Sequence, residues 1–287
     1  MKVKVREARA ADKAPLMEFV SKTWGGHDYI PDIWDEWIRD KSGKIFVVVA
    51  DGRQVGMNRV RLLPEGVGWL EGARIHPQFR GKGLASLLGA SSMKFGSARG
   101  THVFRLTSGS RNKAAHRQIA KMGFGEIARF NVHRVKRTGL KPNPSVQGAK
   151  LGELNPTWRF IRSSSEFKVG KGLYWDSFVA RTLNKENLAE LIKDRRVFHS
   201  IDNGGSKAVA IFGRVTEGSE VWNQMGFLSG ASAYCRKLVS HLFTGAIAKQ
   251  ADENFIFLPR GSNLPKIMNQ LGIKKSFQMV VFEGRSR

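Results

Sequence analysis

Arg80-Gly81-Lys82-Gly83-Leu84-Ala85 follows a strand-like run, Trp69 to Ile75, and Pro77, and it opens a helix-like run from Leu84 to Ala98. Two glycines at a helix entrance bring successive backbone N–H groups to the surface, and the helix N-terminus adds partial positive charge. Such a turn suits a pyrophosphate. Two other phosphate-loop patterns do not fit. The Walker pattern needs Ser or Thr after its Gly-Lys, whereas Gly83 follows Lys82, and the dinucleotide fingerprint needs a glycine where Ser86 stands.

Arg80, Gly83 and Ala85 match Gln/Arg-x-x-Gly-x-Gly/Ala, and the match extends outward on both sides. Arg74-Ile75-His76-Pro77 precedes the turn; Asn112-Lys113-Ala114-Ala115 follows it and leads to Met122-Gly123-Phe124. In this order and spacing the motifs resemble the GNAT superfamily of N-acetyltransferases. The resemblance implies an α/β (α+β) GNAT fold whose mixed central sheet splays between its fourth and fifth strands to admit acetyl-CoA. It also implies a division of labour at the cofactor. The segment Gln78, Phe79, Arg80, Gly81, Lys82, Gly83, Leu84 and Ala85 would face the pyrophosphate. The backbone near Ala73 and Ile75 would pair with the pantetheine arm, and Asn112 would meet that arm from the other side.

The first part of the chain alternates strand and helix patterns. Lys2 to Ala8 reads as a strand, and Asp12 as a helix cap with Pro15 in the first turn. Ile45 to Ala50 is a buried-type strand closed by the hairpin signal Asp51-Gly52, with Val55 to Leu63 as its partner. Val67 to Ile75, Val103 to Thr107 and Glu126 to Val135 supply further strands, and Arg111 to Met122 a helix closed by Gly123. The expected division is a catalytic domain over 1–137, a proline- and glycine-bearing linker over 138–156, and a second domain over 157–287. In that second part, Phe255 to Leu258, Asn263 and Leu271-Gly272 echo the first at looser spacing. No Arg-x-x-Gly-x-Gly/Ala turn precedes Tyr234 to Ala248. The expectation is a degenerate GNAT-like domain without acetyl-CoA, against an unrelated α/β domain.

Acetyl transfer needs a base for the amine and a proton source for the thiolate. Glu71, in the apolar context of its strand, is the candidate base, since burial there would favour proton uptake; the alternative is structural pairing with Arg74 or another arginine. The resemblance places a Tyr acid at position 119, where this chain has Ile119; His116, one turn earlier, is the substitute candidate, with Ser110 and water as others. Trp24 to Trp37 lies where the family builds its substrate lip. Asp28, Tyr29 and Asp35 are the candidate acceptor contacts, whereas Ile33, Trp34 and Trp37 fit the buried face of an amphipathic helix. The Asp28-Tyr29-Ile30-Pro31-x-x-Trp34-x-x-Trp37 pattern is also similar to the histidine N-acetyltransferase group, which suggests an amino-acid α-amine as acceptor.

Composition bounds the partners. The 287 residues carry 48 Lys plus Arg against 24 Asp plus Glu, a net charge of +24, with +16 in the first 150 residues and +8 in the rest. That field suits polyanions, including acidic protein or ribosomal surfaces and CoA itself. The basic residues are scattered, however, and specific nucleic-acid binding is not the expected role. No apolar run reaches the length of a membrane span, and the first residues lack a secretory signal's apolar core. The single cysteine, Cys235, points to a reducing, cytoplasmic setting. The histidines show no metal-ligand spacing, and no metal is expected. Three functions follow in order: a small-amine N-acetyltransferase using acetyl-CoA, a protein or peptide N-acetyltransferase, and a non-catalytic CoA-binding or nucleic-acid-associated module.

Overall fold

The computed structural model describes residues 1–26, 28–136 and 141–286. The chain folds as two units, one of residues 1–126 with 281–287, the other of residues 127–280.

In the first unit the elements run β1 (Val3–Glu7), α1 (Lys13–Val20), α2 (Ile30–Arg39), β2 (Gly43–Ala50), β3 (Arg53–Leu62), β4 (Val67–Ile75), α3 (Leu84–Ser97), β5 (Val103–Gly109) and α4 (Lys113–Lys121). Strands β1 to β4 are successive antiparallel neighbours. The β2–β3 turn is Asp51-Gly52, with φ of 46° and 82°, the left-handed pair that such a hairpin requires. Helix α2 shows why its sequence reads as amphipathic. Ile30, Ile33, Trp34 and Trp37 are spaced to share one stripe, and all four are buried with Leu16, Phe19, Val20, Ile45, Val47 and Met57. Each aliphatic side chain so buried contributes roughly 1.5–3 kcal/mol. Against the other face, the Phe104 ring lies so close to Gly68 and Gly96 that a Cβ at either position would come within 2.7 Å of it.

The second unit contains the rest of β6 (Gly125–Arg134), β7 (Val146–Gly148), α5 (Leu154–Ser163), α6 (Ser165–Val169), β8 (Leu173–Asp176), β9 (Val179–Thr182) and α7 (Lys185–Lys193). It continues through β10 (Val197–Asp202), β11 (Gly205–Glu217), β12 (Glu220–Gly230), α8 (Ser232–Leu242), α9 (Gly245–Ala248), β13 (Glu253–Pro259), α10 (Pro265–Gln270) and the start of β14 (Lys275–Arg285). Its strands follow the order β6-β13-β12-β11-β10-β7, with β12 and β13 parallel over Trp222↔Glu253 to Met225↔Ile256.

These boundaries correct the ones expected from the sequence. Residues 127–134 belong to the second unit, where 130–134 pair with β13 from Phe255↔Arg134 to Pro259↔Phe130, and so leave the first domain. Residues 281–287 enter the first unit, where Glu283 pairs with Arg105 at 2.9 Å and Phe282 packs edge-on against His116. Nor is 141–156 a free linker. Val146 is buried in the second core, β7 pairs with β10, and α5 starts at Leu154; residues 138–140 of that expectation lie outside the described ones. Among the described residues no helix is long and apolar enough to cross a membrane.

Candidate active site

The parallel pair β4–β5 stops early. It is formed over Val67↔Val103, Gly68↔Phe104 and Trp69↔Arg105 and no further, although β4 runs on to Ile75 and β5 to Gly109. Beyond Trp69 the β5-facing edge of β4 is therefore without a strand partner among the described residues, a groove into which an extended chain can lay amide groups. On its other side β4 carries a bulge, the register slipping between Met57 and Arg59. Gly72 sits in it with φ +66°, and the Trp37 ring lies only 2.7 Å from where its Cβ would be. Both the left-handed backbone and the ring demand glycine here.

The connection from β4 to α3 is built as the sequence suggests. A 3-10 turn, Pro77–Phe79, is held by Gln78 N–H donating to His76 Nδ1, and Phe79 lies between the His76 ring and the Lys82 ammonium. Arg80 Nε donates to the Ile75 carbonyl, and Arg74 donates to that of Ala73. Gly81 and Gly83 have φ of +78° and +75°, and no atom lies within 4 Å of a Cβ built on either. Their requirement is conformational, not steric. Gly83 is the N-cap of the 14-residue α3, no side chain caps that end, and Leu84 anchors it in the core while Ala85 is half-buried. Asn112 caps α4, its Oδ1 accepting from Ala115 N–H at 3.1 Å.

Around β4 the polar side chains form two ion-pair groups. In the first, the Arg59 side chain, 4% exposed, donates through Nη1 to Glu71 Oε1 at 2.6 Å and through Nη2 to Asp40, while Arg61 approaches Glu71 Oε2 at 3.6 Å. Arg59 also lies 4.9 Å over the Trp37 ring. Burial works to raise the Asp40 carboxyl, but hydrogen bonds from Ser42 and the charges of Arg59 and Arg61 hold it below the usual carboxylate range. In the second group, Asp28 is fully buried, takes two hydrogen bonds from Arg74 at 2.6 and 3.2 Å, and accepts from Ile30 N–H at the start of α2. Arg74 lies 5.7 Å over the Tyr29 ring, which meets Trp37 edge-on.

Several expectations change accordingly. Glu71 stands on β4 beyond the last β5 pair, but between two arginines instead of in an apolar setting; its partners are Arg59 and Arg61, and Arg74 belongs to Asp28. Asp28 is a structural carboxylate, spent on Arg74 and on the entrance of α2. Asp35 lies on the outer face of α2, 60% exposed and paired with Lys13. Tyr29 remains half-buried beside Trp37. His116 is half-buried and its Nε2–H donates to the Gly109 carbonyl at 3.0 Å, at the end of β5. Arg59, Asp40 and Gly72 were missed. The Arg59-x-Arg61 alternation facing Glu71 across β3 and β4 was the available signal.

Residues 13–124 match the family model described as Acetyltransferase (GNAT) family. Over 144 residues the chain is 33% identical to the human protein named "Probable N-acetyltransferase 16", covering 48% of this chain and 37% of that one. Over 107 residues it is 33% identical to histidine N-acetyltransferase of Xenopus tropicalis, covering 35% and 33%. The matches thus span little more than a third of these relatives. In fold the likeness extends to the whole chain. A GCN5-related N-acetyltransferase from Sphaerobacter thermophilus aligns with 99% of this chain and 95% of its own at TM-score 0.67 and 12% identity. A tandem GNAT protein from the clavulanic acid biosynthesis pathway aligns over 99% and 98% at TM-score 0.61 and 10% identity.

The second unit repeats the short parallel pair without the turn that follows it in the first. Only Ala231 separates β12 from α8, so nothing corresponds to residues 76–83. The strands beyond Met225↔Ile256 meet the β8–β9 hairpin: Trp175 stacks on Phe257 at 4.7 Å, and its carbonyl lies 1.9 Å from where a Gly226 Cβ would be. Phe130 and Phe178 complete this aromatic plug. A degenerate second GNAT-like domain fits these observations.

Proposed function

We propose that the first unit transfers an acetyl group from acetyl-CoA to the amine of a small amino-acid-like acceptor. The observation that carries the reading is the coincidence, at one end of β4, of an unpaired strand edge and an uncapped α3 N-terminus behind Gly81 and Gly83. Acetyl-CoA supplies an activated thioester there. The N–H groups of residues 81–85 suit its pyrophosphate, the edge of β4 at Ala73 and Ile75 suits the amides of its pantetheine arm, and Asn112 suits the far side of that arm through its Nδ2.

In the transfer the amine nitrogen forms a bond to the thioester carbon and the C–S bond breaks. The amine gives up a proton, and the departing thiolate takes one. In this reading Glu71 receives the amine's proton, directly or through a water, on the oxygen that faces the more distant Arg61. An α-amine titrates near about 8 and is partly neutral at pH 7, so it asks less of such a base than a lysine side chain near about 10.4. His116 Nε2 is already engaged with Gly109, so the thiolate's proton is assigned to solvent. Likeness to a protein named histidine N-acetyltransferase supports the choice of an amino acid.

The test is incubation of the chain with acetyl-CoA and separate pools of amino acids, polyamines and peptides, with products identified by mass. Acetylated amino acids support the reading. Products confined to peptides favour a protein acceptor, for which the net charge of +24 would suit acidic partners.

A further inference from the structure

A cleft of about 760 Å3 opens in the second unit between α8 and α10, remote in sequence from the acetyl-transfer motifs. Three cations converge on it: Arg236 and Lys237 from α8 and Lys266 from α10. No carboxylate lines it. Arg236 donates to Gln270, Lys237 lies 4.5 Å over the Tyr234 ring, and none of the three forms an ion pair with an acidic side chain among the described residues. Asn263 and Gln270 add amide groups to the lining, and Ile267 adds an apolar wall.

Like charges gathered in one concavity repel one another, and on an ordinary surface they spread or acquire counter-charges. Here the arrangement leaves a surplus of about three positive charges facing a space of the size that holds a drug- or nucleotide-sized ligand. Guanidinium and ammonium groups together suit phosphate oxygens, the first by forked hydrogen bonds and the second as point charges. The side wall of Ile267 with the amides of Asn263 and Gln270 suits a flat polar ring. We infer that this cleft binds a small ligand bearing a diphosphate on an organic ring, of the chemistry of a nucleoside diphosphate. The site is not a copy of the first unit's loop. Recognition rests on side-chain charge, because the single residue Ala231 between β12 and α8 leaves no room for a backbone cradle, and the Trp175 plug fills the splay a pantetheine arm would use.

The experiment is calorimetric titration of the full chain with ADP, and separately with CoA, at about 0.15 M salt. It uses the wild type, the double variant Arg236→Gln/Lys266→Gln, and the single variant Lys237→Gln. Arg236 and Lys266 are exposed and Lys237 is half-buried, and thermal unfolding checks that the variants fold. The expected result is a saturable ADP site that the double variant weakens at least tenfold and the single variant weakens less, with acceptor-dependent CoA release unchanged. CoA binding at this site more tightly than ADP would name CoA as the source of the diphosphate; equal or weaker binding would name a free nucleotide. ADP binding that is the same in all three proteins overturns the inference.

Discussion

Gly83→Ala separates a conformational from a steric requirement at the heart of the site. The backbone stands at φ +75°, and a Cβ placed there meets nothing within 4 Å, so the substitution creates no clash. Its cost is the left-handed conformation itself, about 1–2 kcal/mol for a residue with a Cβ. That strain can be borne in only two ways. If the loop keeps its shape, the strain appears as lost stability, a fall in Tm of about 2–8 °C at roughly 2–4 °C per kcal/mol. If the loop relaxes, the N–H groups of residues 81–85 turn away and acetyl-CoA binding weakens by about 5- to 30-fold. We expect the second outcome to dominate, because the loop is exposed and its only core anchor, Leu84, lies beyond the glycine. Calorimetric titration with acetyl-CoA, beside thermal unfolding of the same samples, measures both. Unchanged affinity and unchanged Tm would refute the reasoning, since the left-handed backbone would then not be required; so would collapse of the fold, since the structure leaves space for the methyl group.

Three further outcomes follow from the packing. Gly226→Ala should act in the opposite manner: its Cβ would sit 1.9 Å from the Trp175 carbonyl, so the second unit should lose more than about 3 kcal/mol in denaturant unfolding, and an unaltered midpoint would contradict the described hairpin. Arg59→Met strips Asp40 and Glu71 of their shared, buried partner and should cost about 3–5 kcal/mol, read by thermal unfolding. His133 and His199 are both pushed below their ordinary value of 6.5 by burial. The unfolded chain therefore protonates first as pH falls, so stability is full above about pH 6.5 and declines below it. Tm measured from pH 7.5 to 5.5 should show that fall, and His199→Gln should flatten it; an equally steep decline in the variant would remove His199 from the explanation.

Local signals were legible in the sequence where one short segment controls one conformation. The glycines of the β4–α3 turn, the Asp51-Gly52 hairpin and the apolar stripe of α2 each depend on neighbours a few residues away, and each took the expected form. What the sequence concealed were partnerships across long separations. Strand β6 and the end of β14 are both ordinary alternating strands, and nothing in their composition says which unit each will join. Glu71 has the apolar flanks of a buried base, yet its surroundings are set by Arg59 and Arg61 on the neighbouring strand and by Asp40 at the end of α2. Asp28 looks like an exposed lip residue until Arg74, 46 positions on, is brought against it. The missing loop before α8 could be noticed as an absent motif, whereas the Trp175 plug could not, because its stacking partner Phe257 is far along the chain.

The most direct test of acetyl transfer at the splay of the first unit is the rate of free-thiol release from acetyl-CoA, with and without an amino-acid pool, for the wild type and Glu71→Gln. The account predicts release that depends on the pool and a fall of about 100-fold or more in the variant, with acetyl-CoA affinity retained. Release that ignores the pool, or that proceeds equally fast in Glu71→Gln, would contradict it.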